Sequence, residues 1–303
     1  MSGRFIISLD CEGKWGMADN LKEFHHRLLT DDALVEIYTD IVTLFALHDV
    51  PATFAFVMAF TLSPDERRLF PDLDDLSNRD SWLAHYRACQ ARGLTGGWFQ
   101  PEALEIVRRD GRHEIACHSF SHRNLADEAL SAAEADAELN AAAEVANLKR
   151  VHLRTFIFPR NSVGHLPVVQ RHGYLGYRAS RKAPSRLRSL AAEFNLWPSA
   201  EAGSPAMPGE LVVIPAGYFL NWRFGLRQYV PKAITVRRWK NLLDDAADTG
   251  GVAHLWFHPH NFITAPSTKE TLQEILTYAA ALRAAGRLKI MTQEEYCLDV
   301  IAA

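Results

Sequence analysis

Apolar residues along this chain fall into short, nearly continuous runs that alternate with stretches of helical periodicity. The runs at 5–9, 52–57, 114–117, 155–158, 211–214, 252–257 and 288–291 are rich in β-branched and aromatic residues. Their near-continuous apolar character predicts strands buried on both faces, not strands with one wet face. Between them, 32–48, 101–110, 126–150, 236–247 and 269–285 read as helices, several opening on Asp, Pro, Ser or Thr and closing before Gly or Pro. Strand–helix alternation of this kind predicts an α/β fold around a parallel sheet. With no linker rich in Gly, Pro and Ser, it also predicts one barrel-like domain across residues 1–303. Two stretches break the rhythm, 61–100 and 180–229, and are expected as insertions on loops at one end of the barrel. The second holds Trp197, Tyr218, Phe219, Trp222 and Phe224. Aromatic residues so placed serve either as a ligand platform or as a satellite core beneath a long loop, and both readings stay open.

Composition narrows the class. With 48% hydrophobic and 23% charged residues the chain is that of an ordinary globular protein. A formal net charge of −3 gives no clustered basic surface for phosphate backbones, so nucleic acid is not expected as a partner. No apolar run reaches the roughly 18 residues of a membrane span, and the N-terminus shows no charged leader followed by an apolar stretch. A cytoplasmic location is the expectation that follows. Cys11, Cys89, Cys117 and Cys297 lack metal-type spacing and are expected to be reduced and structural.

Three segments carry chemistry. The first strand ends Ile7-Ser-Leu-Asp10-Cys-Glu12-Gly, and residues two apart on a strand share a side, so Asp10 and Glu12 converge just outside its carboxyl end. Two carboxylates that close either call for a cation or stand as a solvated strand-end pair. In His113-Glu-Ile-Ala-Cys-His118-Ser-Phe-Ser-His122 a strand leads into two histidines four apart. A helix or tight turn there would align both rings for a metal; without it they are surface imidazoles. Two histidines and one carboxylate leave a coordination position open for water, the mark of a catalytic and not a structural site. One divalent metal is expected, zinc first, with nickel, cobalt, manganese or iron suited to the same donors. The late strand His254-Leu-Trp-Phe-His258-Pro-His260-Asn261 stops at Pro259. His258 is placed to protonate a leaving group, its alternative being an imidazole bonded to a carbonyl. His254, inside the strand, reads as a satisfied core residue.

Together these segments resemble the polysaccharide deacetylase family, carbohydrate esterase family four. The resemblance is carried by Ser8-Leu-Asp10-Cys-Glu12, by Gly111-Arg-His-Glu-Ile-Ala-Cys-His118-Ser-Phe-Ser-His122 and by Leu255-Trp-Phe-His258. Pro51-Ala-Thr53-Phe54 adds the second strand of the family. It implies a distorted (β/α)7 barrel in which Asp10 is the general base, Glu12, His118 and His122 hold the metal, and His258 is the catalytic acid. Family members usually carry the metal-binding acid directly after the base, whereas here Cys11 intervenes. In the third motif, Thr155-Phe-Ile157-Phe-Pro159-Arg160-Asn161-Ser162, isoleucine stands where an arginine is expected. Arg160 and Asn161 are therefore candidates for supporting the base or, through a backbone N–H, an oxyanion. The Asp-Trp pair that supports the family's arginine has no clear counterpart. Trp15, Trp256 and His260 flank the motifs as candidates for substrate contact.

The activity this implies is removal of an N-acetyl or other N-acyl group from an amino sugar, oligosaccharide or glycan precursor. Two alternatives stand beside it: metal-dependent hydrolysis of another carbon–nitrogen bond, such as a cyclic imide, ureide or formamide, and a carbohydrate-binding barrel without catalysis. The altered third and fourth motifs support the last; Asp10, Glu12, His118, His122 and His258 argue against it.

Overall fold

The strand Gly3–Cys11 (β1) runs through the middle of the molecule, and the rest of the sheet is built outward from it. The structure, a computed structural model, describes residues 2–70, 84–181, 190–207 and 209–303. On one side β1 pairs with Thr53–Phe56 (β2), followed by Glu114–Cys117 (β3), Thr155–Phe156 (β4), Gly176–Arg178 (β5) and Val212–Ile214 (β6). Past β6, Tyr218–Phe219 (β7) pairs with Val252–Phe257 (β8), which flanks the other side of β1. Leu288–Met291 (β9) pairs with Gly3 to Ile6, below the point where β2 takes over at Ser8. All these pairings are parallel, as expected for strands covered on both faces.

β6 and β7 belong to one run of chain bent at residues 215–217, so the same segment occupies both ends of the curled sheet. Counted once, it leaves a sheet resembling a distorted (β/α)7 barrel, with β9 added at the base of β1. Gly217 makes the bend possible: its φ is +67°, and a Cβ there would lie 2.3 Å from the His254 carbonyl oxygen.

The helices Asp31–Leu47, Pro101–Asp110, Ala132–Lys149, Lys232–Thr249 and Thr268–Ala284 correspond to the five expected from periodicity. The third starts six residues later than the pattern suggests. Ser131 accepts from the Glu134 N–H while the Glu134 carboxylate accepts from the Ser131 N–H, and this reciprocal cap fixes the start at Ala132. Two strands went unpredicted. β5 has three residues and β7 has two, too few for a period to show, and β7 converts Tyr218 and Phe219 from expected loop residues into barrel residues. The strand expected at 155–158 is paired only over Thr155–Phe156. Parts of both expected insertions, 71–83 and 182–189, lie outside the described residues. The four cysteines are free and buried. Among the described residues no helix is long and apolar enough to cross a membrane.

Strand parity positions the site. Phe5, Ile7, Leu9 and Cys11 join the large core between sheet and helices. The alternate residues of β1 line the other face: Ile6 packs in a small cluster with Val212, Val252 and Met291, Ser8 follows, and Asp10 and Glu12 complete the line beyond it. β8 repeats the arrangement, with Ala253, Leu255 and Phe257 outward and Val252, His254, Trp256 and His258 on the inner line. Ile6, Val212, Val252 and Met291 therefore floor the barrel beneath β1, β6 and β8, Thr53, Glu114 and Thr155 form a buried hydrogen-bonded polar group at the base of β2–β4, and ionisable side chains crowd the carboxyl-end mouth, where βα loops meet.

Candidate metal centre and active site

Glu12 is the meeting point. One carboxylate oxygen, Oε2, lies 2.9 Å from His122 Nε2 and 3.3 Å from His118 Nε2; the other, Oε1, lies 3.5 Å from His258 Nε2. Glu12, His118 and His122 are all buried, and one donor atom from each lies within 4.8 Å of the others. His118 Nδ1 is 2.8 Å from the Ile157 carbonyl oxygen, which fixes Nδ1 as the protonated nitrogen and leaves the Nε2 lone pair toward the cluster. Burial holds His122 below the ordinary histidine pKa against the pull of Glu12, favouring the neutral form a metal requires. This donor set fits a divalent metal: two imidazole nitrogens and one carboxylate, with room for water.

The turn that carries the histidines is not helical. Ser119 and His122 both adopt φ +64°, a left-handed conformation that is unfavourable for side chains with a Cβ. The fold holds it there. Glu138, buried on the Ala132–Lys149 helix, accepts from the Ser121 N–H at 2.6 Å and its hydroxyl at 2.9 Å, while Met58 and Ala59 N–H groups donate to the Ser119 and Phe120 carbonyls. On the other side, Gly16 leaves space for the Glu12 carboxylate: a Cβ would sit 1.8 Å from Oε1. Because the clashing group is the end of a side chain, Gly16→Ala is expected to fold but to push Glu12 aside. Metal affinity should fall at least about tenfold in an equilibrium dialysis titration, with little change in the urea midpoint.

Asp10 is held differently. Arg178 donates from Nη1 to Oδ1 at 2.7 Å and from Nη2 to Oδ2 at 2.8 Å, a two-pronged pair closed off from solvent. Burial alone would raise the Asp10 pKa; the charges of Arg178, His118 and His258 outweigh it and hold the carboxyl below its ordinary value. The guanidinium is itself fixed. Nη2 donates to Asn161 Oδ1 at 2.7 Å and Nη1 to Ser8 Oγ at 3.1 Å. Ser8 in turn lies 2.8 Å from His254 Nε2, and His254 Nδ1 lies 2.6 Å from the Pro215 carbonyl oxygen. Burial pushes His254 down to about 3, so its ring is neutral, with Nδ1 donating to Pro215 and Nε2 accepting from Ser8. His254 is thus the satisfied core residue its position suggested.

His258 stands at the rim, partly open. Its Nε2 is 3.9 Å from Asp10 Oδ2, and its Nδ1 is 3.2 Å from Asn261 Oδ1. Asn261 fixes the ring, leaving Nε2 toward the two carboxylates.

Several expected contacts are corrected. Arg160 does not reach Asp10; it pairs with Asp19 at 2.6 Å near the surface, because residue 160 sits at φ +58° in the turn after β4. Arg178, eighteen positions later on β5, takes the place in its stead. Asn161 accepts from Arg178 through its side chain and so reaches Asp10 only by way of that guanidinium, while its backbone N–H donates to the Phe158 carbonyl at 3.0 Å and is not turned to an oxyanion. Trp15 is fully buried against Tyr86, Trp98 and Phe99, with its Nε1 donating to the Trp98 carbonyl, so it is core and not a substrate contact. His260 is also buried, its ring stacked 5.1 Å from that of His258, and burial pushes it down to about 3. It forms a second group of possible ligands with Glu12 and His258 and offers little surface to a substrate. Trp256 remains partly exposed beneath the Arg178 guanidinium, 4.6 Å from ring centre to charge.

Comparison with known proteins bears on the family and the fold. Residues 20–179, just over half of the 303-residue chain, match the family described as polysaccharide deacetylase. The matched stretch contains His118, His122 and Arg178; Asp10, Glu12 and His258 lie outside it and are placed by the structure. No curated protein gives a significant match. Among solved structures, a protein assigned as a polysaccharide deacetylase from Mycobacterium smegmatis superposes with TM-score 0.63 at 17% identity, over 99% of this chain and 90% of that one. One from Pseudomonas aeruginosa PAO1 gives 0.60 at 14% identity, over 97% and 89%. A structure named Puue allantoinase gives 0.57 at 14% identity, over 99% and 90%. At these identities the likeness is one of fold.

Proposed function

The chain belongs to the polysaccharide deacetylase family, and we propose that it is a metal-dependent hydrolase that removes an N-acetyl or other N-acyl group from an amino sugar, oligosaccharide or glycan precursor. The observation that carries this reading is the convergence on Glu12 of His118 and His122 beside an Asp10 clamped by Arg178 and a His258 at the rim. A divalent cation bound by Glu12, His118 and His122, zinc by donor type, would supply Lewis acidity and a water of lowered pKa.

The chain's own residues account for the proton traffic. Asp10, kept ionised by Arg178, takes a proton from the attacking water as the new carbon–oxygen bond forms. Its carboxylate does not rotate, since both oxygens are held. His258, with Nδ1 turned to Asn261, gives a proton from Nε2 to the departing nitrogen as the carbon–nitrogen bond breaks. Acid and amine are released with no covalent enzyme adduct. The partly exposed ring of Trp256 lies beside this path and suits the face of a sugar.

The test is acetate release from N-acetylated amino sugars by metal-loaded protein, before and after chelation, with allantoin and small formamides as competing substrates. Metal-dependent acetate release supports the reading; metal-dependent turnover of the ureide or formamide alone would replace it. His258→Asn is expected to lower turnover about 10²–10⁴-fold while retaining stoichiometric metal, the pattern of a lost proton donor and not of a lost ligand.

A further inference from the structure

The segment His258-Pro259-His260 sets two imidazoles side by side where β8 ends and the His260–Thr264 helix begins. Their rings lie 5.1 Å apart, and a nitrogen of each falls within 4.8 Å of the other and of a Glu12 carboxylate oxygen. Glu12 thus faces two histidine pairs, and its oxygens divide between them. Oε2 lies 2.9 Å from His122 and 3.3 Å from His118, whereas Oε1 lies 3.5 Å from His258 Nε2. A carboxylate that offers one oxygen to each side can bridge two cations, as in two-metal hydrolase sites.

The second pair has the features of a ligand set. Asn261 Oδ1, 3.2 Å from His258 Nδ1, keeps the proton on that nitrogen and leaves the Nε2 lone pair toward Glu12. The His258 side chain is 22% exposed, so an ion can enter from solvent, while His260 is only 5% exposed. The buried His260 Nδ1 has no hydrogen-bond partner among the described residues. A buried ring nitrogen without a partner carries a penalty, and no step of the proton traffic uses this ring. Turned to an ion, Nδ1 would lose that penalty; turned away, it would carry the proton that frees Nε2 to ligate. Two facts make this pair the weaker of the two. His118 Nδ1 is anchored on the Ile157 carbonyl, a support His260 lacks. A second divalent ion also meets the charge of the first and of Arg178, with Asp10 and Glu12 in opposition.

We infer that Glu12, His258 and His260 form a second, weaker site for a divalent transition-metal ion, and that filling it inhibits the enzyme. The inference rests on the reading of Glu12, His118 and His122 as the catalytic metal centre and of His258 as the proton donor. A cation on His258 Nε2 and a proton on the same nitrogen exclude one another, so the filled site offers no acid to the departing nitrogen. Imidazole donors select zinc, cobalt or nickel over magnesium and calcium.

The test is equilibrium dialysis of the metal-free full chain against zinc, run beside acetate release from N-acetylglucosamine at each zinc concentration. Wild type should bind two equivalents, the second at least about tenfold more weakly, and acetate release should rise with the first and fall as the second fills. His260→Gln should keep the first equivalent, weaken the second at least about tenfold, and move the fall in activity to correspondingly higher zinc. His258→Asn, at a partly exposed position, should also keep the first equivalent and lose the second, and it remains informative if the buried His260 variant fails to fold. Magnesium in place of zinc should not fill the second site. A single equivalent in wild type, a second equivalent indifferent to both His258 and His260, or a fall in activity that persists unchanged in His260→Gln overturns the inference and leaves deacylation standing. Two equivalents, the weaker dependent on His258 and His260, with no acetate at any zinc concentration, keep the second cation site and overturn the acyl chemistry.

Discussion

His118→Ala is expected to abolish stoichiometric metal binding and to lower turnover by at least about three orders of magnitude, the equivalent of several kcal/mol of lost transition-state stabilisation. Only one of three ligands is removed, but the consequence spreads. Glu12 loses a neighbour 3.3 Å from Oε2, and the buried Ile157 carbonyl loses its donor. The second loss should cost about 1 kcal/mol of stability, small beside the catalytic effect. Thermal melts separate the two. Metal that binds only the native state raises the wild-type midpoint with concentration, and the variant should show no such rise while its metal-free midpoint drops only a few degrees. Metal content by elemental analysis, read beside activity, decides the matter; a variant that keeps a full equivalent of metal and wild-type turnover would remove His118 from the centre.

The parts of this site that were legible in the sequence share a physical cause. β1, β3 and β8 are strands covered on both faces, so their apolar runs are nearly continuous, and the polar residues that end them stand out: Asp10 and Glu12, His118, His258. Parity along a strand then says which of those side chains share a face. Arg178 was not legible. It sits on a three-residue strand, Gly176–Arg178, where Gly-Tyr-Arg carries no period, and its partner Asp10 is 168 positions away. Arg160 was the arginine nearest the expected motif, but nearness along the chain says nothing of direction once residues 160 and 161 both turn left-handed. The signal that could have found Arg178 is chemical: a carboxylate buried this deeply needs a buried cation, and the candidates are arginines at the ends of strands. Trp15 failed in the opposite way. A tryptophan after a strand fits a sugar platform and a core equally well, and only Tyr86, Trp98 and Phe99, from a segment whose packing the pattern does not reveal, decide for the core.

Arg178→Gln is expected to be the most destabilising change at the site, by about 3–5 kcal/mol, because it strands a buried carboxylate without its counter-charge. Asp10 is 2% exposed, so solvent cannot take over from the guanidinium, and Ser8 and Asn161 lose their donor as well. The pH dependence should change sign. In the wild type burial raises the Asp10 pKa but Arg178 and the neighbouring histidines lower it further, leaving it depressed in the folded state. Its contribution to stability is therefore present above the unfolded-state pKa and is lost as pH falls through the folded one. Without Arg178 burial wins, the folded-state pKa rises, and stability should instead fall as pH climbs through it. Urea midpoints at pH 5 and pH 8 would show the variant relatively better at the lower value, and the acid limb of its kcat/KM profile should move to higher pH. Asp10→Asn in the same background should recover part of the stability, since it removes the stranded charge, and none of the activity. Arg160→Gln provides the contrast. Its pair with Asp19 is half-exposed and worth about 0–1 kcal/mol, so the acid limb should stay where it is. If the acid limb moved with Arg160 and stayed put with Arg178, the base would be supported from the surface turn and not from β5.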